Sequence, residues 1–477
     1  MTPQTSPHKN WTLVAVSLGT FMLLVDITIV VVALPSIRGA LHTSFSDVQW
    51  TIDAYSLTLA SLLLPSGSLA DILGRRRVFI GGLVIFTIGS LLCGLATSGT
   101  MLIACRAFQG IGGATVFATS LALLAQTFHG KERGFAFGVW GAVAGAASGL
   151  GPLLGGLLTT DLSWRWIFFV NLPVGIAAVI ITFRNVAEFK PDTARRIDVP
   201  GFLVFTGGLF FLIYGLIESS HRGWGSTVVV GSLVLAVLLI LSFPVIESRI
   251  KQPMFDLQLF RKPAFDGGLL AAFGMNGGLF AMFLYLTLYL QDSLHYSALA
   301  TGLRIALITL VMMCVAIPSG RFSQRIPARW MMGPGLIIVG IGLLLMRGIT
   351  HDSSWTHLIP GFIIAGAGAG MVNPTLANAA IGVVEPRNAG MASGISSTFR
   401  QIGIATAVAT FGSIFASGLN GATGPTVATH FASTMNELLL IAALISIVTG
   451  TLSMALLRPK DFVPHGAPAG EPAVQNA

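Results

Sequence analysis

LPSGSLADILGRRR, residues 64–77, ends a long apolar run with three consecutive arginines. A related stretch, IPSGRFSQRIPARW, occupies residues 317–330 in the second part of the chain. The two stretches align without a gap and share Pro65, Ser66, Gly67 and Arg76 with Pro318, Ser319, Gly320 and Arg329. A repeat that keeps the same orientation predicts two parallel halves packed around a central site.

The composition places these halves in a membrane. Of 477 residues, 53% are hydrophobic and only 10% are charged, whereas a soluble domain carries about 25% charged residues. Stretches long enough to cross about 30 Å of hydrocarbon predict fourteen helices. These are 11–36, 48–70, 78–97, 101–126, 134–158, 165–183, 200–218, 226–246, 264–290, 299–320, 331–348, 357–383, 391–417 and 435–457.

The predicted fold class is therefore an all-α membrane protein with two six-helix bundles and two inserted helices. We expect an N-terminal six-helix bundle at 1–185, a linker with inserted helices 7 and 8 at 186–263, and a C-terminal six-helix bundle at 264–458. Residues 459–477 are rich in Gly, Pro and Ala. That composition predicts a disordered cytoplasmic tail.

Basic residues set the expected orientation. Most of the 27 Lys and Arg residues fall in loops on the side of the N-terminus. The loops of the opposite side hold only Arg38, Arg165, Arg222 and Arg347. The positive-inside rule then puts both termini in the cytoplasm. It also accounts for the net charge of +8, so we expect no nucleic-acid partner.

Several kinds of site are not expected. The glycine-rich pieces at 109–114 and 366–370 lie inside predicted membrane helices and follow no soluble strand, so they fail the context of a nucleotide-binding loop. No GxxxxGK[ST] motif is found in the sequence. We expect a proton gradient as the energy source and no cofactor. No pair of histidines has metal-ligand spacing, so no metal site is predicted.

The stretch at the end of the second predicted helix combines several special residues. Gly67 would permit close helix approach and Gly74 a sharp turn, and Asp71 would cap the following helix or pair with an arginine across a bundle interface. Arg75, Arg76 and Arg77 would face the inner surface of the membrane. The pattern GxLADxxGRR resembles the signature loop of the major facilitator superfamily, although Ile72 stands where a basic residue is common.

The fourth predicted helix carries CRAFQGIGGA at 105–114. An intramembrane arginine costs about 2.5–3.5 kcal/mol or more and usually faces a cavity or a partner. The position of Arg106 therefore indicates a functional role rather than a role in helix packing alone. Together with Gln109 and Gly110 it forms an RxxQGxG pattern, which resembles the motif associated with proton movement in proton-coupled members of the superfamily.

The fifth predicted helix has a stripe of small residues. Gly138, Gly141, Gly145, Gly149, Pro152 and Gly156 recur at steps of three or four. A glycine stripe lets a neighbouring helix approach closely, and simple close packing is the alternative to a functional role. Gly151, Pro152, Gly155 and Gly156 form GPxxGG, which resembles the motif of exporters of the superfamily. The resemblance implies that this motif, with Gly145 and Gly149, helps to set the relative tilt of the two bundles.

Three further stretches narrow the resemblance to the fourteen-helix drug:proton antiporter family. They are DITIVVVALP from Asp26, SWRWIFFVNLPVGI at 163–176 and SGISSTFRQIGIA at 393–405. The resemblance implies a proton-coupled exporter of amphipathic drugs or antibiotics, hydrophobic, cationic or polycyclic, that works by alternating access. It implies a multi-pass protein of the bacterial cell membrane, and we expect a monomer in the lipid bilayer.

Two alternatives stay open. The protein could export a single natural product for self-resistance, which a resistance profile limited to one compound would reveal. It could also be a polytopic membrane enzyme or a channel. A channel would conduct without consuming a proton gradient.

Asp26 is the one charge between Trp11 and Ile37, about 16 Å from the helix end and close to the midplane. The pKa of such a carboxyl group depends on the competition between desolvation and a neighbouring arginine. We expect Asp26 to carry the proton, with Arg106 tuning it. A static ion pair is the alternative. Asp53, nearer the outer end of the second helix, would be a second carrier or an attraction point for cations.

Other polar residues within the predicted helices are weaker candidates. Asn276, Asn373, Arg400 and Gln401 would line the cavity or make helix-to-helix hydrogen bonds. Glu218 and Glu247 lie at predicted helix ends. We therefore expect these two carboxylates to be solvated.

Overall fold

The computed structural model of the chain describes residues 9–43, 45–188, 198–250, 257–323, 325–350, 353–384, 389–419 and 426–458. The predicted tail at 459–477 lies outside these residues. Within them the chain is helical and contains no strand. The predicted all-α class is confirmed.

The N-terminal part contains the first six predicted helices, the sixth of them divided in two. The elements are α1 (Lys9–Leu41), α2 (Phe45–Leu73), α3 (Arg75–Gly94), α4 (Gly99–Thr127), α5 (Gly130–Asp161), α6 (Trp166–Phe169) and α7 (Asn171–Asn185). The predicted inserted pair follows as α8 (Val199–Arg222) and α9 (Thr227–Glu247).

The C-terminal part contains the remaining six predicted helices, and its first helix is interrupted by two π-helical segments. The α-helices are α10 (Pro263–Met275), α11 (Ala281–Leu288), α12 (Ala298–Phe322), α13 (Ala328–Leu345), α14 (Ile359–Gly382), α15 (Ala389–Leu419) and α16 (Thr426–Leu456). The π segments Asn276–Phe280 and Tyr289–Ser293 flank α11. Short 3₁₀ turns at Leu257–Arg261 and Trp355–Leu358 precede α10 and α14.

Thirteen helical segments among the described residues are long and apolar enough to cross a membrane. The helix α15 is 31 residues long but is not among them, and it carries the polar run SSTFRQ at 396–401. With α15 the segments match the fourteen predicted helices. Helices suit this environment because they satisfy their backbone hydrogen bonds internally, without water.

Helix ends differ from the prediction where polar residues continue the helix. The last helix begins at Thr426 rather than near residue 435, and α1 extends to Leu41 rather than to residue 36. Apolar runs mark only the part of a helix in hydrocarbon. Backbone hydrogen bonding continues into the polar residues beyond it.

Two seams join the N-terminal and C-terminal parts. In the α2–α15 seam, a Cβ added at Gly67 would lie 2.3 Å from the carbonyl oxygen of Gly390. In the α5–α12 seam, a Cβ at Gly320 would lie 2.3 Å from the carbonyl oxygen of Gly134. Gly67 and Gly320 are matched positions of the sequence repeat. The same glycine therefore makes the same kind of close contact in both halves.

Both of these contacts lie near one face of the molecule. We call the face at which α1 begins and α16 ends the terminal face. Gly67 is six residues before the end of α2, and Gly390 is the second residue of α15. The start of α1 is tied to the start of α5 by an ion pair between Lys9 and Glu132 at 2.6 Å. The two halves therefore touch at the terminal face in this conformation.

The inserted pair covers the outside of the α2–α15 seam. Ile213 of α8 is buried against Leu57 and Ala60 of α2. Beyond the end of α8, the indole N–H of Trp224 donates to Ser413 Oγ of α15 at 2.9 Å. The pair therefore contacts both halves.

The expectation that Glu218 and Glu247 are solvated is wrong. Glu218 is 3% exposed and Glu247 is 2% exposed. Arg222, one turn further along α8, forms an ion pair with Glu218. Both carboxylates lie near helix ends, but neighbouring elements cover those ends.

Candidate functional site

Asp26 lies near the middle of α1 and is completely buried, with 0% exposure. Its Oδ2 accepts a hydrogen bond from Nη1 of Arg106 at 2.5 Å. Arg106, on α4, is also 0% exposed. A charge buried this deeply is strongly destabilising without a partner of opposite sign. The structure therefore brings together the two residues that the sequence singled out.

Two amide side chains complete the surroundings of the carboxylate. Oδ1 of Asp26 accepts from Nε2 of Gln109 at 3.0 Å and from Nδ2 of Asn171, on α7, at 3.0 Å. The same Nδ2 donates to Oγ of Ser90, on α3, at 3.0 Å. We call Asp26, Arg106, Gln109 and Asn171 the Asp26 cluster. It links α1, α4 and α7 through one carboxylate.

The guanidinium group of Arg106 is equally well satisfied. Its Nε donates to the carbonyl oxygen of Thr51, on α2, at 3.0 Å, and its Nη1 donates to Oε1 of Gln109 at 2.8 Å. The guanidinium carbon lies 4.1 Å from the ring centroid of Tyr55, within the range of a cation–π interaction. The cluster is thus neutral overall and closed.

Glycines explain how α4 comes close enough to place Arg106. A Cβ at Gly110 would lie 2.7 Å from the carbonyl oxygen of Tyr55 on α2, and one at Gly112 would lie 2.4 Å from the backbone nitrogen of Phe86 on α3. Larger residues would push α4 away from both neighbours. The RxxQGxG pattern therefore combines the polar groups with the close approach that positions them.

Asp53 is half-buried on α2, two residues after Thr51. The contacts of the Asp26 cluster given above do not include it. Its role as a second carrier or attraction point stays a prediction.

The acidic residue of the signature loop joins the two halves. Asp71 Oδ1 accepts from Nε of Arg75 at 3.0 Å, within its own half. Its two oxygens also accept from the backbone N–H groups of Gly390 at 3.2 Å and Met391 at 2.9 Å, in the first turn of α15. Asp71 therefore caps α15 of the other half rather than the helix that follows it. Its arginine partner lies in its own half rather than across the interface. Both predicted roles are corrected in this way.

The turn after α2 depends on Gly74 and on a residue that the sequence did not single out. Gly74 has a φ of +105°, which L side chains rarely adopt. Glu188 accepts from the backbone N–H groups of Arg76 at 3.1 Å and Arg77 at 3.2 Å, at the start of α3. The Arg76 side chain donates to the carbonyl oxygen of Phe183 at 2.7 Å. Glu188 falls in the predicted linker. No local pattern reveals its role, because its partners lie more than a hundred residues earlier in the chain.

The glycines of α5 serve two different contacts. Added Cβ atoms at Gly145 and Gly149 would lie 2.4 Å from Met312 and 2.4 Å from Thr309, both on α12. At Gly151 and Gly155 they would lie 1.8 Å from Thr28 and 2.8 Å from Ile29, both on α1.

The motif on α5 therefore touches the other half on one side and the helix of Asp26 on the other. Gly156 is half-buried, and the side chain of Pro152 lies outside the described part of the structure.

The four weaker cavity candidates make different contacts, and their role in lining a cavity stays a prediction. Asn276 donates to Ala272 of its own helix at 2.8 Å. Asn373 approaches the sulfur of Met312 at 3.6 Å. Arg400 is 8% exposed, and Gln401 is half-buried on the same helix.

Comparison with known proteins identifies the family. The domain model of the Major Facilitator Superfamily matches residues 16–408. The chain belongs to the Major Facilitator Superfamily. It is therefore a multi-pass membrane transporter rather than an enzyme.

Several relatives in the superfamily have names that describe drug resistance or export. The multidrug resistance protein Stp of Mycobacterium tuberculosis is 36% identical, over 87% of this chain and 77% of Stp. The puromycin resistance protein pur8 of Streptomyces alboniger is 34% identical, over 89% and 84%. The cephamycin export protein CmcT of Amycolatopsis lactamdurans is 35% identical, over 92% and 90%.

A solved structure has the same fold. The human organic anion transporter MFSD10 (TETRAN) superimposes with a TM-score of 0.67, over 94% of this chain and 100% of that one, at 17% identity. This likeness supports the superfamily fold alone.

Sequence reasoning missed Asn171 and Ser90. Both are ordinary polar residues, and nothing local distinguishes them. Asn171 does fall in the stretch VNLP, which contributed to the resemblance. Its contribution to the site depends on α7 packing against α1.

Proposed function

We propose that the protein is a proton-coupled antiporter that exports amphipathic drugs or antibiotics by alternating access. The observation that carries the proposal is the Asp26 cluster, in which one fully buried carboxylate is held by three donors from two other helices. The resistance and export names of relatives that match over most of their length support a drug substrate.

Asp26 carries the proton in this mechanism. Protonation removes its negative charge, which leaves Arg106 without a counter-ion and weakens the hydrogen bonds that Gln109 and Asn171 donate. The packing of α1, α4 and α7 then responds to one proton. Release of that proton on the other side of the membrane restores the cluster.

The two seams convert this local change into alternating access. The cap between Asp71 and α15 and the glycine contact at Gly67 close the terminal face, and both must separate when that face opens. The α5–α12 seam lets the halves tilt because α5 presents only hydrogen, at Gly145 and Gly149, to the side chains of Met312 and Thr309.

Charge distribution sets the orientation. The terminal face carries the basic loops, so it lies in the cytoplasm together with both termini. The protein acts as a monomer in a bacterial cell membrane, and external protons enter as substrate leaves.

The test measures transport in inverted membrane vesicles that contain the full chain. A proton gradient is imposed and uptake of the cationic dye ethidium is followed by fluorescence, for the wild type and for Asp26→Asn. We expect gradient-driven uptake in the wild type and its loss in the variant, with the variant still folded by size-exclusion chromatography. Retained proton-driven uptake in Asp26→Asn would exclude Asp26 as the coupling group and leave the static ion pair.

A dedicated exporter of one compound remains the second candidate, because some relatives are named for a single antibiotic and Stp is named for many. Expression in a drug-sensitive bacterium against a panel of unrelated compounds separates the two. Resistance to several chemical classes supports the multidrug form. Resistance to one class supports the dedicated form.

A further inference from the structure

Arg400 is a buried arginine whose surroundings differ from those of Arg106. It lies on α15 and is 8% exposed. Its Nη2 is buried and has no hydrogen-bond partner among the described residues. No ion pair of Arg400 is found within the described part of the chain. An unpaired buried guanidinium is costly.

The position of Arg400 is central. It is eleven residues from the start of α15, or about 16 Å along the helix, which is close to the middle of the membrane. Its guanidinium carbon lies 5.5 Å from the ring centroid of Trp140. Trp140 belongs to α5 and is 1% exposed, so the contact joins the two halves.

The ring of Trp140 is held in place from the N-terminal half. Its indole N–H donates to Oγ1 of Thr20, on α1, at 3.0 Å. This hydrogen bond fixes one edge of the ring. Trp140 therefore offers Arg400 a cation–π contact, but it cannot accept the directed hydrogen bonds that a guanidinium group donates.

Two hydroxyl groups on the same helix are also unsatisfied. Oγ of Ser393 and Oγ of Ser396 are buried and have no partner among the described residues. Ser393, Ser396 and Arg400 follow one another at steps of three and four, so they share one face of α15. Buried polar groups in proteins nearly always have partners. Three unpaired groups on one face indicate a polar ligand.

We propose that Arg400 binds the acidic group of the exported compound. The ligand is an amphipathic aromatic acid, whose carboxylate accepts from the guanidinium group and whose rings pack beside Trp140. Two carboxylate oxygens match the paired N–H groups of arginine. This inference rests on the proposed export function and specifies its substrate class.

Charge at the centre of the molecule supports an anion. The Asp26 cluster is neutral, because Asp26 and Arg106 compensate each other. Arg400 therefore adds one uncompensated positive charge between the halves. The family resemblance implies a cationic or polycyclic substrate, and an aromatic acid with fused rings is polycyclic but not cationic.

The test uses three ligands of the same shape and different charge: anthracene-2-carboxylate, its uncharged carboxamide and the corresponding trimethylammonium compound. The full chain is placed in lipid nanodiscs, and binding is read from energy transfer between tryptophan and anthracene, with empty nanodiscs as background. Arg400→Gln and Arg400→Lys are compared with the wild type.

The matched control is Arg304→Gln. Arg304 also lies in a membrane helix, but it stacks on Tyr296 at 3.6 Å and donates to the carbonyl oxygen of Ala300. Its Nε is buried without a partner among the described residues, but Arg304, unlike Arg400, has a directed hydrogen bond within its own helix and two aromatic rings around it. Its replacement should leave ligand preference unchanged.

We expect the wild type to bind the carboxylate about tenfold or more tightly than the other two compounds, because charge-assisted hydrogen bonds are strong. Arg400→Gln should abolish this preference while the affinity for the carboxamide stays within about twofold. Arg400→Lys should keep part of it. Unchanged preference in Arg400→Gln, or preference of the wild type for the ammonium compound, would overturn the proposal.

Stability separates ligand binding from a structural role. If Arg400 holds the fold, Arg400→Gln lowers the Tm, and a loss of preference in such a variant counts against the proposal. If Arg400 serves to bind a ligand, the Tm of Arg400→Gln equals that of the wild type or exceeds it. Proton-driven uptake of ethidium and of anthracene-2-carboxylate into vesicles is measured in parallel. A binding preference for the acid without proton-driven uptake of either compound would contradict the proposed export function alone. Proton-driven uptake without a binding preference for the acid would contradict only this inference.

Discussion

Two buried arginines in this transporter have opposite surroundings. Arg106 lies within the N-terminal half and has a carboxylate, an amide, a backbone carbonyl and an aromatic ring as partners. Arg400 lies between the halves and has one ring contact. Both arginines lie within long membrane helices, so local sequence does not separate the two.

This difference supports different tasks for the two sites in the mechanism that we propose. A closed cluster inside one half can change its protonation without taking up substrate. An open donor between the halves can take up substrate without exchanging a proton. Coupling then requires only that both sites respond to the same movement of the halves.

The largest effect is expected from Arg106→Gln, which leaves Asp26 buried without its charge partner. Loss of one member of a buried pair costs about 3–5 kcal/mol. We expect a marked fall in Tm, measured by scanning fluorimetry of the purified chain. Arg400→Gln should show no such fall, because it removes an uncompensated charge.

A double variant sharpens this contrast. Asp26→Asn combined with Arg106→Gln removes both charges, so it should recover part of the Tm lost in Arg106→Gln alone. A double variant as unstable as the sum of the single changes would mean that the two residues do not interact as the structure indicates.

The next effect concerns the amide that completes the cluster. Asn171→Leu removes two donated hydrogen bonds, one of them to a carboxylate, which costs about 1.5–3 kcal/mol. We expect lower Tm and slower gradient-driven uptake. Asn276→Leu is the matched control, since among the described residues that amide donates only to the carbonyl oxygen of Ala272. Equal losses in both variants would contradict a specific role for Asn171.

A smaller change tests whether the closed terminal face depends on the glycine seam. Gly67→Ala places a Cβ against the carbonyl oxygen of Gly390, and such overpacking costs about 1–3 kcal/mol. We expect greater labelling of a cysteine placed at Ser68, because the face opens more often. Gly81→Ala, which meets nothing within 4 Å, is the control and should label as the parent does.

The smallest effect belongs to the hydroxyl beside Arg400. Ser396→Ala should weaken binding of anthracene-2-carboxylate by roughly two- to fivefold, since one neutral hydrogen bond is lost. Ser417→Ala, an exposed change on the same helix, should leave the affinity unchanged. If Ser396→Ala weakens the carboxamide equally, Ser396 does not contact the acid.

Sequence reasoning found the parts of the site that are anomalous in themselves. Asp26 and Arg106 are charged residues in apolar runs. Because burying a charge costs free energy, such residues are recognisable from the sequence. Gln109 and Gly110 were recognisable because they belong to the same RxxQGxG pattern as Arg106. Asn171 and Ser90 have no such anomaly, because their importance lies in a contact with a helix far away in the chain.

The signature loop shows the same limit. Its glycines predicted a turn and a close approach, and Gly74 and Gly67 provide them. The partners of Asp71 were not predictable, because Gly390 and Met391 follow more than three hundred residues later. Nothing in a local pattern tells which helix start will lie opposite a carboxylate.

The sequence by itself determined the membrane class, the fourteen helices and the repeated halves, because apolar length and spacing act along the chain. Tertiary structure decided which polar groups are satisfied. Asp26 meets Arg106 across 80 residues and Asn171 across 145, whereas Arg400 meets no counter-charge among the described residues. Such pairings depend on packing between helices, and helix packing brings distant residues together for reasons that no single stretch contains.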